Sequence, residues 1–217
     1  RIEALVRRRD PGAVATHLQV GDLEMDLLAR TVKRAGAPID LQPREFRLLA
    51  LFMERPGIAL TRDQILETLC DRLQMRLGTL SLLQGEKEVA IDIAYGLSQD
   101  EIDRGRYKVG EGITGRVVAS AKPVIVPRIS SEPLFLDRTG ARTTREKSQS
   151  SFICVPIALQ RQVVGTLSAD CPYIDDSRLQ ANVRLLTIVA AMVAQNVATR
   201  RRARVEWANL VDENQRL

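Results

Sequence analysis

Few side chains in this sequence have the chemistry for catalysis on their own. The one histidine is His17, and the three cysteines, Cys70, Cys154 and Cys171, lie far apart without a Cys-x-x-Cys spacing. Nucleophilic catalysis pairs a cysteine or serine with a nearby base, and zinc sites need closely spaced cysteines and histidines. The sequence therefore predicts a protein that is not an enzyme, needs no metal or cofactor, and keeps inert, reduced cysteines in the cytoplasm.

A cluster of cationic side chains lies within residues 128–150, close to two phenylalanines. Arginine forms paired hydrogen bonds with a carboxylate, so this stretch is suited to a small anion. We expect a ligand cavity between a sheet and residues 128–150, with the basic stretch as a lid. The alternative is a solvated loop without a ligand. The candidate ligand-binding residues are Arg128, Phe135, Arg138, Arg142, Phe152 and Cys154.

The elements that must position these side chains are short strands and helices. Two runs rich in Val and Ile, 152–159 and 163–169, are too short for typical helices and indicate buried strands joined by a tight turn. Residues 137–150 have no apolar pattern and are predicted to be a polar connection. Further strands are predicted at 79–83, 88–94 and 124–126, and short helices after Ser98 and over 114–119.

Glycines cluster at 105, 110, 112 and 115. The spacing from Gly110 to Gly115 fits Gly-x-Gly-x-x-Gly, but no strong strand precedes it and no βαβ unit surrounds it. A dinucleotide site is therefore not expected. We predict a turn that leads into a helix.

Four motifs in order carry a family resemblance: Leu97-Ser-Gln-Asp-Glu-Ile-Asp-Arg-Gly-Arg-Tyr107, Gly110-Glu-Gly-Ile-Thr-Gly-Arg-Val117, Ser131-Glu-Pro-Leu-Phe-Leu-Asp-Arg138 and Ser151-Phe-Ile-Cys-Val-Pro-Ile157. The chain from about Leu66 to Leu217 resembles a GAF domain, and more narrowly the sensory domain of NifA-type activators of sigma-54-dependent transcription. The resemblance implies a small-molecule sensor built as a sheet with helices on it. NifA-type relatives bind 2-oxoglutarate or respond to PII-type proteins, so it also implies an anionic ligand such as 2-oxoglutarate and a PII-type partner.

The first third of the chain resembles the front half of an OmpR-type winged-helix domain. The motifs are Val20-Gly-Asp-Leu-Glu-Met-Asp26, Ile39-Asp-Leu-Gln-Pro-Arg-Glu-Phe-Arg-Leu-Leu49 and Pro56-Gly-Ile-Ala-Leu-Thr-Arg-Asp-Gln-Ile-Leu66. A small antiparallel sheet and a helix opened by Pro43 are predicted here. The resemblance ends near Leu66, before the recognition helix that this family places in the major groove. We therefore expect no sequence-specific DNA binding.

A long C-terminal helix is predicted to start at the capping box Ser177-Arg-Leu-Gln180. Up to Thr199 its apolar stripe suits packing on a sheet. Beyond it, two seven-residue series predict a parallel coiled coil and a homodimer, and a single helix with a frayed tail is the alternative. The series are Val193, Arg200, Trp207, Asn214 and Val189, Asn196, Ala203, Leu210, Leu217.

Composition limits the class of protein. The 217 residues are 45% hydrophobic and 27% charged, which is ordinary for a globular chain. The net charge of +5 is spread along the chain and does not by itself argue for nucleic acid. No apolar run approaches the roughly 18 residues that a membrane-spanning helix needs.

These observations together predict an α+β fold, with a GAF-like antiparallel sheet, flanking helices and a long C-terminal helix after a small partial winged-helix-like sheet and helix. The predicted segments are a basic linker at 1–12, the partial winged helix at 13–66, the GAF-like domain at 67–199 and a signalling helix at 200–217. The predicted function is signal sensing in a bacterial transcription regulator. The alternative is a DNA-binding fragment of a two-component response regulator. A third reading is a redox enzyme acting on a small thioether oxide through Cys154 or Cys171.

Overall fold

The computed structural model of the chain describes residues 16–53, 62–160, 162–173 and 176–194. The chain divides into two compact units, Arg1–Glu54 (unit 1) and Arg55–Leu217 (unit 2). The linker predicted at 1–12 and the coiled coil predicted at 200–217 lie outside the described residues. Within the described ranges, no helix combines the length and apolar character needed to cross a bilayer.

Unit 1 is a four-stranded antiparallel sheet with one helix in its described part. Strands β1 (His17–Val20), β2 (Leu23–Asp26), β3 (Thr31–Arg34) and β4 (Ala37–Ile39) pair in sequence order, and α1 (Pro43–Met53) follows them. Pro43 occupies the first turn of α1, where its missing N–H costs nothing. The small sheet and the helix opened by Pro43 are as predicted. Buried side chains alternate along the strands and recur at helical spacing in α1: Leu18, Leu23, Met25, Val32, Phe46, Leu49, Ala50 and Met53.

Unit 2 is built on a six-stranded antiparallel sheet. Its strands are β5 (Leu77–Gln84), β6 (Glu88–Tyr95), β7 (Arg106–Lys108), β8 (Val124–Val126), β9 (Ser150–Leu159) and β10 (Gln162–Pro172). Its helices are α2 (Arg62–Leu73), α3 (Gln99–Arg104), α4 (Gly112–Ser120), α5 (Thr144–Gln149) and α6, residues 176–194. The strand order is β7-β6-β5-β10-β9-β8. The two central strands, β5 and β10, therefore come from opposite ends of the unit.

One face of this sheet is closed by α2 and α6. A Cβ atom on Gly78 of β5 would lie 2.6 Å from Cys70 Sγ and 2.9 Å from Leu66 Cδ1, so α2 packs directly on the strand. On the same face, Asn182 of α6 hydrogen-bonds the Cys171 thiol. Four residues of the predicted apolar stripe of α6, Leu179, Leu186, Ala190 and Val193, are at 1% exposure or less, while Val183 is half-buried and Val197 lies outside the described residues.

The opposite face carries α4 and the segment between β8 and β9, residues 127–149, which we call the β8–β9 connection. It contains a 3₁₀ turn at Ile129–Ser131 and helix α5. The Thr143 hydroxyl accepts a hydrogen bond from the Glu146 N–H and caps α5. The prediction of an irregular polar connection over 137–150 is therefore corrected, because this capping box starts a helix without an apolar stripe.

The predicted strands agree with the structure to within three residues at their ends, and the predicted α+β class is confirmed. β9 and β10 form the predicted hairpin, in which Gln160 adopts a left-handed φ of 49°. The capping box of Ser98 and Glu101 opens α3 as predicted. The compact units divide between Glu54 and Arg55, while the segment boundary near Leu66 stays a prediction about where one sequence resemblance ends.

Candidate ligand-binding site

A cavity lies on the sheet face that carries α4 and the β8–β9 connection. The empty space within it, counted together with the open solvent at its mouth, is about 420 Å³. The strands form its floor, α4 forms one wall and the β8–β9 connection covers it. Its lining residues are Thr79, Ser81, Ile91, Tyr107, Ile113, Thr114, Phe135, Leu136, Asp137, Thr139, Arg142, Phe152 and Ser168.

Buried hydroxyl groups form the centre of the floor. Thr166 and Ser168 on β10 pair with Ser81 and Thr79 on β5, so alternation along both strands puts all four side chains on one face. The Thr79 and Ser168 hydroxyls hydrogen-bond each other at 2.5 Å. The fully buried Thr166 hydroxyl has no partner among the described residues besides the Cys154 thiol, which is a weak one. Of the four residues, Thr79, Ser81 and Ser168 line the cavity, and their hydroxyl oxygens can donate to or accept from a polar ligand.

Arg142 supplies a buried positive charge at the edge of this floor. Its side chain is 8% exposed, and its Nε and Nη2 atoms donate to the two carboxylate oxygens of Asp170 at 2.5 and 2.8 Å. Its Nη1 atom donates to Asp137 at 2.8 Å and to the Thr139 hydroxyl at 3.3 Å. Burial lowers the pKa of Arg142, but the hydrogen bonds and charges of Asp170 and Asp137 outweigh this and raise the pKa. The guanidinium is therefore charged and held by two carboxylates.

Asp170 and Asp137 differ in how they are supported. Asp170 lies on the central strand β10 with its side chain 4% exposed, and burial raises the pKa of its carboxyl while the Arg142 hydrogen bonds oppose this rise. Asp137 lies on the β8–β9 connection at a left-handed φ of 36°. Its second oxygen accepts from Lys147 Nζ at 2.8 Å. The four groups form a chain of alternating charge with a net charge of zero.

The walls of the cavity are apolar. The Phe135 and Phe152 rings meet edge to face with centroids 5.0 Å apart, and the Arg142 guanidinium lies 5.0 Å from the Phe135 centroid. Ile113 of α4 belongs to the buried cluster that contains Phe152. Leu136, in the lining, is 41% exposed. Burial raises the pKa of the Tyr107 hydroxyl, which keeps that lining group protonated.

The glycine-rich turn before α4 fixes the wall that α4 provides. Gly110 and Gly112 adopt positive φ angles of 88° and 58°. A Cβ atom on Gly115 would lie 2.1 Å from the Lys108 carbonyl oxygen. The turn therefore needs glycine at 110 and 112 for positive φ angles and at 115 for a close backbone approach. The prediction of a turn leading into a helix is confirmed.

Three of the six predicted ligand-binding residues, Phe135, Arg142 and Phe152, lie in the cavity lining. Arg128 instead stacks over the Tyr173 ring at 4.9 Å. Arg138 pairs with Glu111 at the surface, with its side chain 42% exposed. Cys154 lies in the buried apolar cluster next to Phe152. Whether each of the six contacts a ligand stays a prediction.

Sequence reasoning missed the hydroxyl floor and both carboxylates that hold Arg142. The Thr-x-Ser spacing at 79–81 and 166–168 was a usable signal, because strand alternation puts such pairs on one face. Asp170 carried no comparable signal, since it ends an apolar run and its partner lies 28 residues away in the sequence.

The three cysteines have the properties of unreactive core thiols. All three are buried and free. Burial raises the pKa of each thiol to about 12. Thiolates are the nucleophilic form, so these side chains are poor nucleophiles at neutral pH. Among the described residues, no three His, Cys, Asp or Glu side chains group as a metal site would require.

Comparison with known proteins identifies the fold of unit 2 and finds a family match in part of the preceding chain. The family model "GAF domain" matches residues 61–197, and "Transcriptional regulatory protein, C terminal" matches residues 36–76. The solved "A. Aeolicus nlh2 gaf domain in an inactive state" superposes with a TM-score of 0.63 at 18% identity, covering 72% of this chain and 97% of that one. This likeness shows the fold.

Two curated relatives are similar in sequence. The Nif-specific regulatory protein of Herbaspirillum seropedicae is 37% identical over 158 residues, which are 72% of this chain and 29% of the relative. The nitrogen fixation protein AnfA of Azotobacter vinelandii is 33% identical over 181 residues, 82% of this chain and 34% of the relative. The chain therefore spans about a third of the length of these relatives.

Proposed function

The chain belongs to the GAF domain family, and from this premise we propose that it is the signal-sensing module of a bacterial transcription regulator of the Nif-specific kind. The observation that carries the proposal is the cavity over β5 and β10, whose lining includes the Arg142 guanidinium anchored by Asp170. A fixed charge beside hydroxyls and aromatic rings selects one small polar ligand. The module acts in the cytoplasm, where its free thiols stay reduced.

The ligand in this proposal is a small carboxylate of the 2-oxoglutarate type. The Nη1 atom of Arg142 bonds two other lining residues, Asp137 and Thr139, so this edge of the guanidinium adjoins the cavity. Guanidinium groups bind carboxylates with paired, charge-assisted hydrogen bonds. The floor hydroxyls suit keto and carboxylate oxygens, and the Phe135 and Phe152 rings suit methylene groups. This combination favours a short dicarboxylate over an apolar ligand.

We also propose that the chain forms a homodimer through residues 200–217 and binds a PII-type partner. These two parts of the proposal rest on the sequence and its family resemblance. Val189 and Val193 are at 1% exposure or less within the monomer. They are therefore not available to a coiled-coil seam, and the seam of the proposed dimer must start beyond them.

The second candidate, a DNA-binding fragment, is favoured by the regulatory-protein match at residues 36–76. Against it, α2 covers Gly78 of the unit 2 sheet through Leu66 and Cys70, so its apolar face is already committed to packing. Specific reading of DNA requires an element that enters the major groove. A footprint on a defined duplex at physiological salt would favour this candidate, and we expect none.

Isothermal titration of the whole chain with 2-oxoglutarate tests the proposed function. We expect saturable binding of one ligand per chain, with succinate and cyclic nucleotides as comparison ligands. In the Thr79→Val variant, which keeps the shape of the side chain and removes one floor hydroxyl, affinity should fall by about 5- to 10-fold because a ligand hydrogen bond is lost.

Thr187→Val is the matched control. The Thr187 hydroxyl bonds the Val183 carbonyl within α6, on the other face of the sheet. Its loss should leave ligand affinity unchanged. If no carboxylate in the panel binds, the proposed function is wrong. If 2-oxoglutarate binds equally well to the Thr79→Val variant, the ligand lies outside this cavity.

A further inference from the structure

The two carboxylates that hold Arg142 are unequal. Asp170 takes the Nε and Nη2 edge with two hydrogen bonds and belongs to a strand that is paired on both sides. Asp137 takes the Nη1 edge with one hydrogen bond and belongs to the β8–β9 connection. A two-point contact on a rigid strand persists when a one-point contact on a connection breaks. Arg142 therefore has one permanent partner and one exchangeable partner.

The backbone of Asp137 also favours its release. Its φ of 36° lies in the left-handed region, which costs a residue with a side chain free energy unless its contacts hold it there. The contacts that hold it include the hydrogen bond from Arg142, the ion pair with Lys147, a hydrogen bond from the Thr139 hydroxyl to Asp137 Oδ1 at 3.4 Å and one from the Gly140 N–H to the Asp137 carbonyl. Losing the Arg142 contact removes the best-buried of these restraints.

The net charge of the groups around Arg142 determines how an anion can bind there. The chain Asp170–Arg142–Asp137–Lys147 is neutral, with the first three side chains at most 9% exposed. Adding a carboxylate to this buried neutral group leaves one negative charge without a partner, which is strongly unfavourable. Replacing Asp137 by the ligand carboxylate keeps the balance. Asp137 can then turn to solvent together with Lys147, whose side chain is already 34% exposed.

We propose that a ligand carboxylate binds by exchange, replacing Asp137 at the Nη1 edge of Arg142 while Asp170 keeps the opposite edge. This proposal rests on the proposed function and adds its regulation. The exchange frees the part of the β8–β9 connection around Asp137 from the sheet. The far end of that connection stays tied, because Glu146 of α5 pairs with Arg76, the residue before β5. Ligand binding thus becomes a displacement of residues 137–141, between the released Asp137 and Arg142, which Asp170 keeps in place.

The test uses Asp137→Asn in the whole chain, titrated with 2-oxoglutarate. The amide keeps the size of the side chain and removes the competing charge, so affinity should rise by about tenfold or more relative to the unchanged chain. The matched control is Glu111→Gln, which removes another carboxylate that pairs with an arginine of the same connection, Arg138. Its affinity should change by less than about twofold, because that pair is exposed.

Hydrogen exchange read by mass spectrometry gives the second measurement. Ligand should speed exchange in the peptide that contains Gly140 in the unchanged chain, and that peptide should already exchange fast in Asp137→Asn. If the unchanged chain binds but Asp137→Asn binds no more tightly, or Glu111→Gln gains as much, the exchange is wrong and the proposed function stands. If neither the unchanged chain nor the variants bind any carboxylate, the proposed function fails as well.

Discussion

Replacing Gly115 with alanine sets two physical effects against each other. Gly115 lies inside α4, where alanine is favoured over glycine by about 1 kcal/mol. Yet its Cβ would lie 2.1 Å from the Lys108 carbonyl oxygen and 3.0 Å from the Gly110 nitrogen, and both neighbours are backbone atoms that cannot rotate away. Overpacking of this kind costs about 1–3 kcal/mol or more.

The clash should also weaken the hydrogen bond from the Gly110 N–H to the Gly115 carbonyl. A lost hydrogen bond costs about 1 kcal/mol. We therefore expect Gly115→Ala to destabilise unit 2 by about 2 kcal/mol or more. With a urea dependence of about 2 kcal/mol per molar, the unfolding midpoint should fall by about 1 M.

Thiol labelling across a urea series measures this change in unit 2 alone, because all three cysteines belong to that unit and are buried. Gly140→Ala is the control, since Gly140 has a φ of 69° but no atom within 4 Å of its Cβ position. Gly140→Ala should lower the stability of unit 2 by only about 1 kcal/mol, because a residue with a side chain is strained at this φ. A midpoint for Gly115→Ala equal to or above that of the unchanged chain would refute the steric argument, because helix propensity would then have prevailed.

Two further predictions follow from burial and a third from the C-terminal seven-residue series. Arg142→Met should destabilise unit 2 by about 3–5 kcal/mol, since it leaves Asp170 buried without its partner, whereas Arg138→Met, at an exposed pair, should cost at most about 1 kcal/mol by the same thiol assay. The native thiols should not react with Ellman's reagent at pH 8. The pKa of the Cys154 thiol is about 12 in the folded chain against an ordinary value of 9.0, so above about pH 9 this thiol loses its proton in the unfolded chain but not in the folded one. The urea midpoint of unfolding should therefore fall as the pH rises above about 9. Sedimentation velocity should show a dimer for the whole chain and a monomer for one ending at Thr199; two monomers would rule out the coiled coil, and two dimers would place the interface elsewhere.

Local signals in the sequence were enough for most of the elements. Short runs rich in Val and Ile predicted β9 and β10 as buried strands, because a strand covered on both faces needs apolar side chains on both. Strands were also predicted at 79–83 and 88–94, which are β5 and β6. The capping box of Ser98 and Glu101 predicted the start of α3, since the two groups satisfy each other within one turn. The glycine turn before α4 was predicted for the same reason, because the contacts that require its glycines lie within the eight residues from Lys108 to Gly115.

The site itself depends on contacts that no local pattern encodes. The predicted cations could be named from the sequence, but which of them turns inward depends on the path of the β8–β9 connection. Arg142 finds Asp170 only because β10 lies at the centre of the sheet. The hydroxyl floor likewise requires the register that sets Thr79 opposite Ser168. Residues from distant parts of the chain must be paired before such a site can be recognised.

The pairing of β5 with β10 has a mechanical consequence. α2 leads into the start of β5 and α6 follows the end of β10, and these two strand ends lie together, with the Arg76 N–H donating to the Asp170 carbonyl at 3.0 Å. Tension applied through the two helices therefore pulls neighbouring ends of antiparallel strands apart, so their hydrogen bonds are loaded one after another and not all at once. The two strands separate one residue pair at a time, which requires less force than breaking all their hydrogen bonds together. The second residue pair beyond Leu77 and Asp170 is Thr79 and Ser168 in the cavity floor. Force on the connecting helices thus reaches the ligand floor after the first pairs have opened, and a bound ligand that bridges the two strands would resist that force.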